Sequence, residues 1–424
     1  MRTTRRSFVA LAASTLAAQE EFFDIYRDPP RLFLTPQRLR RLRRDRERRV
    51  ARWAQFEALV RGGAPITEPG FALALYSQVA RDEEAARKAV AWAATADDAR
   101  QIALVYDWCL PHSEALKPRL EEAHRRSTDP RAKAIAAIAL GDGTGLAGVV
   151  RGWWRGEVAS ALKAGRNAIA RRDLYGVCEV MHAVRDNTGI DLRDDLPAYF
   201  LELPHLLLGS YYPAAFPAPE NEYRMPAVKG GAIDLTVAAL SRAAELAMVA
   251  FDTNLTENQY LQGWAMHDRF MLRGAFGAPY EFLWANPYQP GLSYDLLPTV
   301  AYDARAGRLF ARSSWKDGAD WLGWLDGELQ VFVEGKPRVV APGAARMVYH
   351  FGDVAVVPAP RPGRFDIRDE VKTVYLIGLD AASRYRIEPD HRGKNEAKAD
   401  VGGVIRLEFP TGFRGGLTVA PPRA

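Results

Sequence analysis

Residues 175–197, YGVCEVMHAVRDNTGIDLRDDLP, hold the densest set of groups able to move a proton or neutralise an anion. At helical spacing Glu179, His182 and Asp186 fall at i, i+3 and i+7 and share one face, with Arg185 and Asn187 beside them. An imidazole near a carboxylate can act as acid or base, and guanidinium and amide groups can hold an oxyanion. The same residues also fit a structural network. In that reading His182 is a buried, satisfied imidazole, and Asp186, Asp191 and Asp194 cap helices or pair with Arg185 and Arg193. Asp186, Asp191 and Asp195 match no calcium-loop spacing, so no metal is expected.

A second group is aromatic: Tyr211, Tyr212, Tyr223 and Arg224, with Tyr288 and Tyr294 in NPYQPGLSY. A phenol can serve as acid or base where cations lower its pKa, and rings stack on the apolar faces of sugars. Buried packing tyrosines are the plainer alternative. His267, in WAMHDRF, sits beside Asp268 and Arg269 at a helix end, while His112 and His124 fall on helix surfaces and carry no expected role. GDGTG at 141–145 lacks the Lys-Ser/Thr continuation of a phosphate loop, and there is no G-x-S-x-G, Cys-x-x-Cys or His-Glu-x-x-His. No cofactor is expected.

The elements that must position these groups change character near Pro298. From Thr35 to about Phe270 apolar residues recur every three or four positions, and Thr35-Pro36 starts the first helix, QRLRRLRRDRERRVARWAQFEALV. Helices are expected around 71–80, 83–95, 98–110, 114–126, 130–140, 157–184, 232–251 and 257–272, joined by short turns as packed helix hairpins. Segments 201–230 and 278–298 are rich in Pro and aromatics and read as irregular. After Pro298 the period becomes two, with Asp-Gly at 317–318 and 326–327 and Glu-Gly at 334–335 between short runs. That predicts consecutive antiparallel strands and a β-sandwich. Trp321 and Trp324, three apart on one strand, then point to opposite faces, and Trp315 at the lip of a turn faces a cleft.

The first 18 residues carry Arg2, Arg5 and Arg6 ahead of a short apolar run, the layout of an export signal of twin-arginine type; an amphipathic first helix is the alternative. Removing them takes the formal charge from +5 to +2, too weak a bias for nucleic acid. No later run is apolar enough to cross a bilayer, so a periplasmic or secreted location without membrane insertion is expected. Cys109 and Cys178 lie far apart in apolar, helix-like surroundings and read as two separate buried thiols.

PRLFLTPQRLRRLR at 30–43 resembles the opening of heparinase II/III-like polysaccharide lyases, and GRLFARSSWKDGADWLGWLDG at 307–327 resembles their entry into the β-domain. The resemblance implies an incomplete (α/α) toroid over 19–297 and an antiparallel β-sandwich over 298–424. It also implies an anionic (uronate-containing) or acetylated polysaccharide held between the two and cleaved by β-elimination. On that pattern His182, Arg185, Asn187 and Tyr288 take the catalytic roles, and Tyr212, Arg224, His267 and Trp315 the substrate-binding ones. Where those lyases carry a His-x-His-x-Asp-x-Gly-type run, this chain reads LDGELQVFVEG. A non-catalytic, glycan-binding descendant of the fold is therefore the alternative.

Overall fold

In the computed structural model, residues 23–217, 222–267, 271–341, 347–359 and 361–421 are described; the export-type segment lies outside them. Helix starts follow local chemistry. Thr35, Asp82, Asp98, Asp129 and Asp234 each accept hydrogen bonds from backbone N–H groups of the first turn that follows, donors with no partner inside the helix. The resulting helices are α1 (Pro36–Glu47), α2 (Ala51–Arg61), α3 (Pro69–Ala80), α4 (Glu83–Ala93), α5 (Ala99–Trp108), α6 (Lys117–Arg126) and α7 (Pro130–Leu140). They continue with α8 (Gly143–Val149), α9 (Ser160–Lys163), α10 (Leu174–Thr188), α11 (Pro197–Gly209), α12 (Leu235–Phe251), α13 (Thr256–His267) and α14 (Gly277–Trp284). Neighbours in sequence pack as neighbours in space: α3 lies on α4 and α5, α7 on α5 and α8, and α10 on α7 and α12.

Four boundaries differ from the periodicity. The first helix divides, because Arg49 takes a left-handed conformation (φ 51°) and turns the chain into α2. The expected helix 157–184 is two pieces. A π-helical stretch, Val150–Ala159, runs into α9, which stops at Lys163, two residues before Gly165 (φ 75°), and α10 begins afresh at Leu174. Segment 201–230 is not irregular throughout. Its first residues belong to α11, where the buried Leu203, Leu207 and Leu208 hold a helix despite the internal Pro204, and the rest forms the hairpin β1 (Tyr211–Pro217) and β2 (Glu222–Pro226). Segment 278–298 likewise contains most of α14.

Two sheets follow. The first is antiparallel, in the order β3 (Val300–Asp303), β4 (Arg308–Arg312), β5 (Trp321–Leu325), β6 (Glu328–Val333), β7 (Lys336–Val340). The second contains β8 (Tyr349–Phe351), β9 (Val354–Pro358), β10 (Gly363–Ile377), β11 (Arg384–Pro389), β12 (Asn395–Lys398) and β13 (Ile405–Ala420). Its order is β12-β11-β13-β10-β9-β8, antiparallel except that β9 and β10 run parallel. Asp326-Gly327 and Glu334-Gly335 both have positive φ, the two-residue hairpin geometry that Asp-Gly pairs favour.

Strand β5 is buried along its whole length, and its tryptophans do point to opposite faces. Trp321 packs against the helical half and donates from Nε1 to Gly209 O at 2.9 Å. Trp324 joins Leu309, Leu322, Val356 and Tyr375 in an apolar layer shared by the two sheets. Gly323 is required here: a Cβ at that position would lie 2.4 Å from the Trp321 ring.

Candidate functional site

The α10 residues form an ionic network sealed inside the helical half. Glu179, wholly buried, accepts from Arg100 Nε (2.8 Å) and Nη2 (2.6 Å), from Arg131 Nε (2.6 Å) and from the Tyr175 hydroxyl (2.5 Å). Arg100 also reaches Glu68 at 3.1 Å, Tyr280 donates to Glu68, and Trp284 Nε1 donates to the Tyr175 hydroxyl at 3.0 Å. Burial alone would raise the Glu179 pKa, but Arg100 and Arg131 hold it down at about 2. Every oxygen of this carboxylate is occupied, so Glu179 ties α5, α7 and α10 together.

His182 is enclosed as well. Its Nε2 lies 2.9 Å from Ala247 O and its Nδ1 3.5 Å from Arg38 Nη2, which assigns the proton to Nε2, and its ring lies 4.4 Å from that of Trp284. Burial, then the Arg38 charge, pushes its pKa well below the ordinary value, so the ring is neutral. The void beside it holds about 20 Å³, room for a water and not for a sugar. Arg185 donates to Phe251 O at 2.5 Å and to Asp186 at 3.3 Å, and Asn187, also buried, donates to Ala183 O and Arg31 O. Arg193 pairs with Asp191 and Asp252. Tyr288 stands apart, half exposed, with Arg44 over its ring at 5.6 Å. The four residues expected to be catalytic thus do not converge on one cleft: three have structural partners, as the network reading describes.

The substrate-binding set divides too. Tyr212 is buried, donating to Gln330 Oε1 at 2.7 Å and meeting Trp321 edge to face, a strut between hairpin and sheet. His267 ends α13, and its side chain lies outside the described residues. Arg224 and Trp315, however, come together where the β1–β2 hairpin, the end of α13 and the β4–β5 loop meet. The Arg312 guanidinium lies 4.4 Å over the Trp315 ring, and Trp315 donates to Leu297 O, so it is 9% exposed and not open to a cleft. Tyr294 meets Trp315 (5.7 Å) and Trp264 (5.0 Å) edge to face, and Arg224 lies 5.7 Å over Trp264. Arg312 is only 3% exposed, has no ion-pair partner among the described residues, and its Nε and Nη1 are buried without a hydrogen-bond acceptor. Burial lowers its pKa to about 10; Tyr294 offsets this and the Arg224 charge adds to it. Periodicity treats Arg312 and Trp264 as strand and helix positions and misses both; the signal was the arginine three residues before Trp315.

A cleft of about 720 Å³ opens between the start of α10, α11 and the first sheet. Its cations are mostly paired: Arg172 with Asp234, Arg308 with Asp326, and Arg171 with the buried Glu245. Glu245 also accepts from Tyr211 at 2.6 Å, and Tyr211 packs on Trp264, so the cleft wall and the arginine–aromatic cluster share one buried carboxylate. The two cysteines are buried and unpaired, and burial pushes Cys109 up to about 11 and Cys178 to about 12, which leaves both thiols inert. Among the described residues no group of three His, Cys, Asp or Glu could hold a metal, and no helix is long and apolar enough to cross a membrane. No protein-family model matches the chain, and no curated protein matches it.

Proposed function

We propose that the protein is an exported, heparinase II/III-like protein that binds a uronate-containing polysaccharide at the Arg224–Arg312 cluster. Its helices would form an incomplete (α/α) toroid and its two sheets a β-sandwich. One observation carries the reading: Arg312 is buried on the Trp315 ring, with two guanidinium nitrogens that find no acceptor among the described residues. A buried cation without a counter-charge is costly, and a planar fork beside an aromatic face suits a sugar carboxylate. Binding, and not cleavage by the α10 residues, is the better-supported function, since His182 and Asn187 are engaged inside the helical half.

Cleavage keeps one foothold in Tyr294, whose phenol lies between Trp264 and Trp315 in the field of Arg312. There its phenolate would take the C5 proton next to a uronate carboxylate held by the arginines; the electron pair forms the C4–C5 double bond as the C4–O bond breaks, and the phenol returns the proton to the leaving sugar oxygen. The test is calorimetric titration with galacturonate, glucuronate and mannuronate oligosaccharides, alongside ultraviolet absorbance of unsaturated product. Binding without product supports the binding protein. Product that disappears in Tyr294→Phe establishes the lyase, and no binding to any uronate overturns both.

A further inference from the structure

Asp317 sits in the β4–β5 loop, on the turn that carries Gly318. Its side chain is 71% exposed, yet its carboxylate spans the Arg224 fork, Oδ1 at 2.7 Å from Nη1 and Oδ2 at 3.3 Å from Nη2. That is the two-point geometry a ligand carboxylate takes on an arginine. The turn itself is anchored, since Gly318 N donates to Pro213 O on the hairpin at 2.7 Å, so the side chain can swing away while the backbone stays. Arg312 lies close enough for both Asp317 and Arg224 to act on its charge.

We infer that Asp317 is a displaceable internal ligand, an acid of the chain's own that occupies the Arg224 fork until a uronate carboxylate replaces it. The inference rests on the uronate-binding reading above. The pair is open to solvent on its acid side and weakly held, so an incoming carboxylate that also reaches Arg312 exchanges a weak partner for a stronger set. The device also selects. A neutral sugar has no charge to offer in exchange and leaves Asp317 in place, whereas each bound uronate must match or exceed the internal carboxylate. Discrimination against uncharged glycans thus comes from a competitor inside the site as well as from attraction.

The experiment uses the whole protein and the uronate oligosaccharide from the titration panel that binds it most tightly, with its methyl ester as the uncharged probe. Asp317→Asn keeps the shape and removes the competing charge, and should tighten binding by about fivefold, the scale of an exposed pair. Asp320→Asn, in the same loop and also exposed, controls for the change in net charge and should leave affinity near that of wild type. Arg312→Lys, which keeps the charge and loses the fork, should weaken binding. The inference is overturned if Asp317→Asn binds no tighter than Asp320→Asn while Arg312→Lys still weakens binding; the uronate site then stands without an internal competitor. If neither wild type nor Asp317→Asn binds any uronate, the binding reading itself falls.

Discussion

The helical half and its junction with the first sheet bury the same kinds of side chain to opposite effect. Around Glu179 two arginines, two tyrosine hydroxyls and a tryptophan N–H close a network in which the acid meets a donor on each lone-pair side. Around Arg312 aromatic rings also close in, but among the described residues no acid forms an ion pair with it. Buried charge that is fully answered holds helices together; buried charge left open is a place where something else can bind. Richness in catalytic residue types is therefore a poor guide to a site.

The contrast can be broken most directly at its saturated end. Glu179→Gln leaves Arg100 and Arg131 buried against a neutral amide and should cost about 3–5 kcal/mol in denaturant unfolding. A loss below ~1 kcal/mol would mean the network is not what joins α5, α7 and α10. The pH dependence has a defined sign: the Glu179 pKa is depressed, so its stabilisation is present above the ordinary glutamate value and lost as pH falls towards about 2.

Asp107 sharpens the comparison from the acid side. It is a buried carboxylate whose bonds come from the backbone N–H groups of Arg31 and Leu32, and burial raises its pKa to about 6. The raised pKa means the folded chain holds this proton more tightly than the unfolded one. Its contribution is complete below the ordinary aspartate value and is lost as pH rises through about 6. Wild type should lose about 3 kcal/mol across that window relative to Asp107→Asn. Parallel stability curves for the two proteins would remove Asp107 as the cause.

Smaller effects are expected where the halves meet. Tyr212→Phe deletes the hydroxyl bonded to Gln330 and should cost about 1 kcal/mol, read in thermal unfolding, without changing uronate affinity. Arg312→Met should leave stability within about 1 kcal/mol of wild type, or raise it, because the variant no longer desolvates an unanswered cation. The same variant should lose uronate binding. A large destabilisation by Arg312→Met would put Arg312 in the same class as Glu179 and remove the basis of the contrast.

Much of the architecture was legible in the sequence, and for physical reasons. Aspartate and threonine caps, period-2 runs and the Asp-Gly pairs act locally, so the helices, the order of α then β and the hairpins at 326–327 and 334–335 could be read directly. The opposed faces of Trp321 and Trp324 follow from strand geometry alone. What escaped depends on distant partners. Pro204 lies in a stretch that looks like loop, yet burial of Leu203, Leu207 and Leu208 makes it part of α11. Whether His182 faces ligand or core is decided by Ala247, Arg38 and Trp284, none near it in sequence. Arg312 and Trp264 lie 48 positions apart, and Tyr294 and Arg224 bring them into one cluster.

The fully buried strand β5 bears on how the chain can be divided. Phe310, Trp321, Leu325 and Phe332 belong to the same apolar mass as the helices, while Trp324 and Leu322 belong to the layer between the sheets. Cutting at the change of period near Pro298 would strip one side of the first sheet and leave a wide greasy face on an isolated C-terminal fragment. That fragment should precipitate when expressed alone, and the helical fragment should need its missing neighbour to fold. The seam visible in the sequence is a seam of pattern, and a single unfolding transition for both halves is the expected outcome in calorimetry.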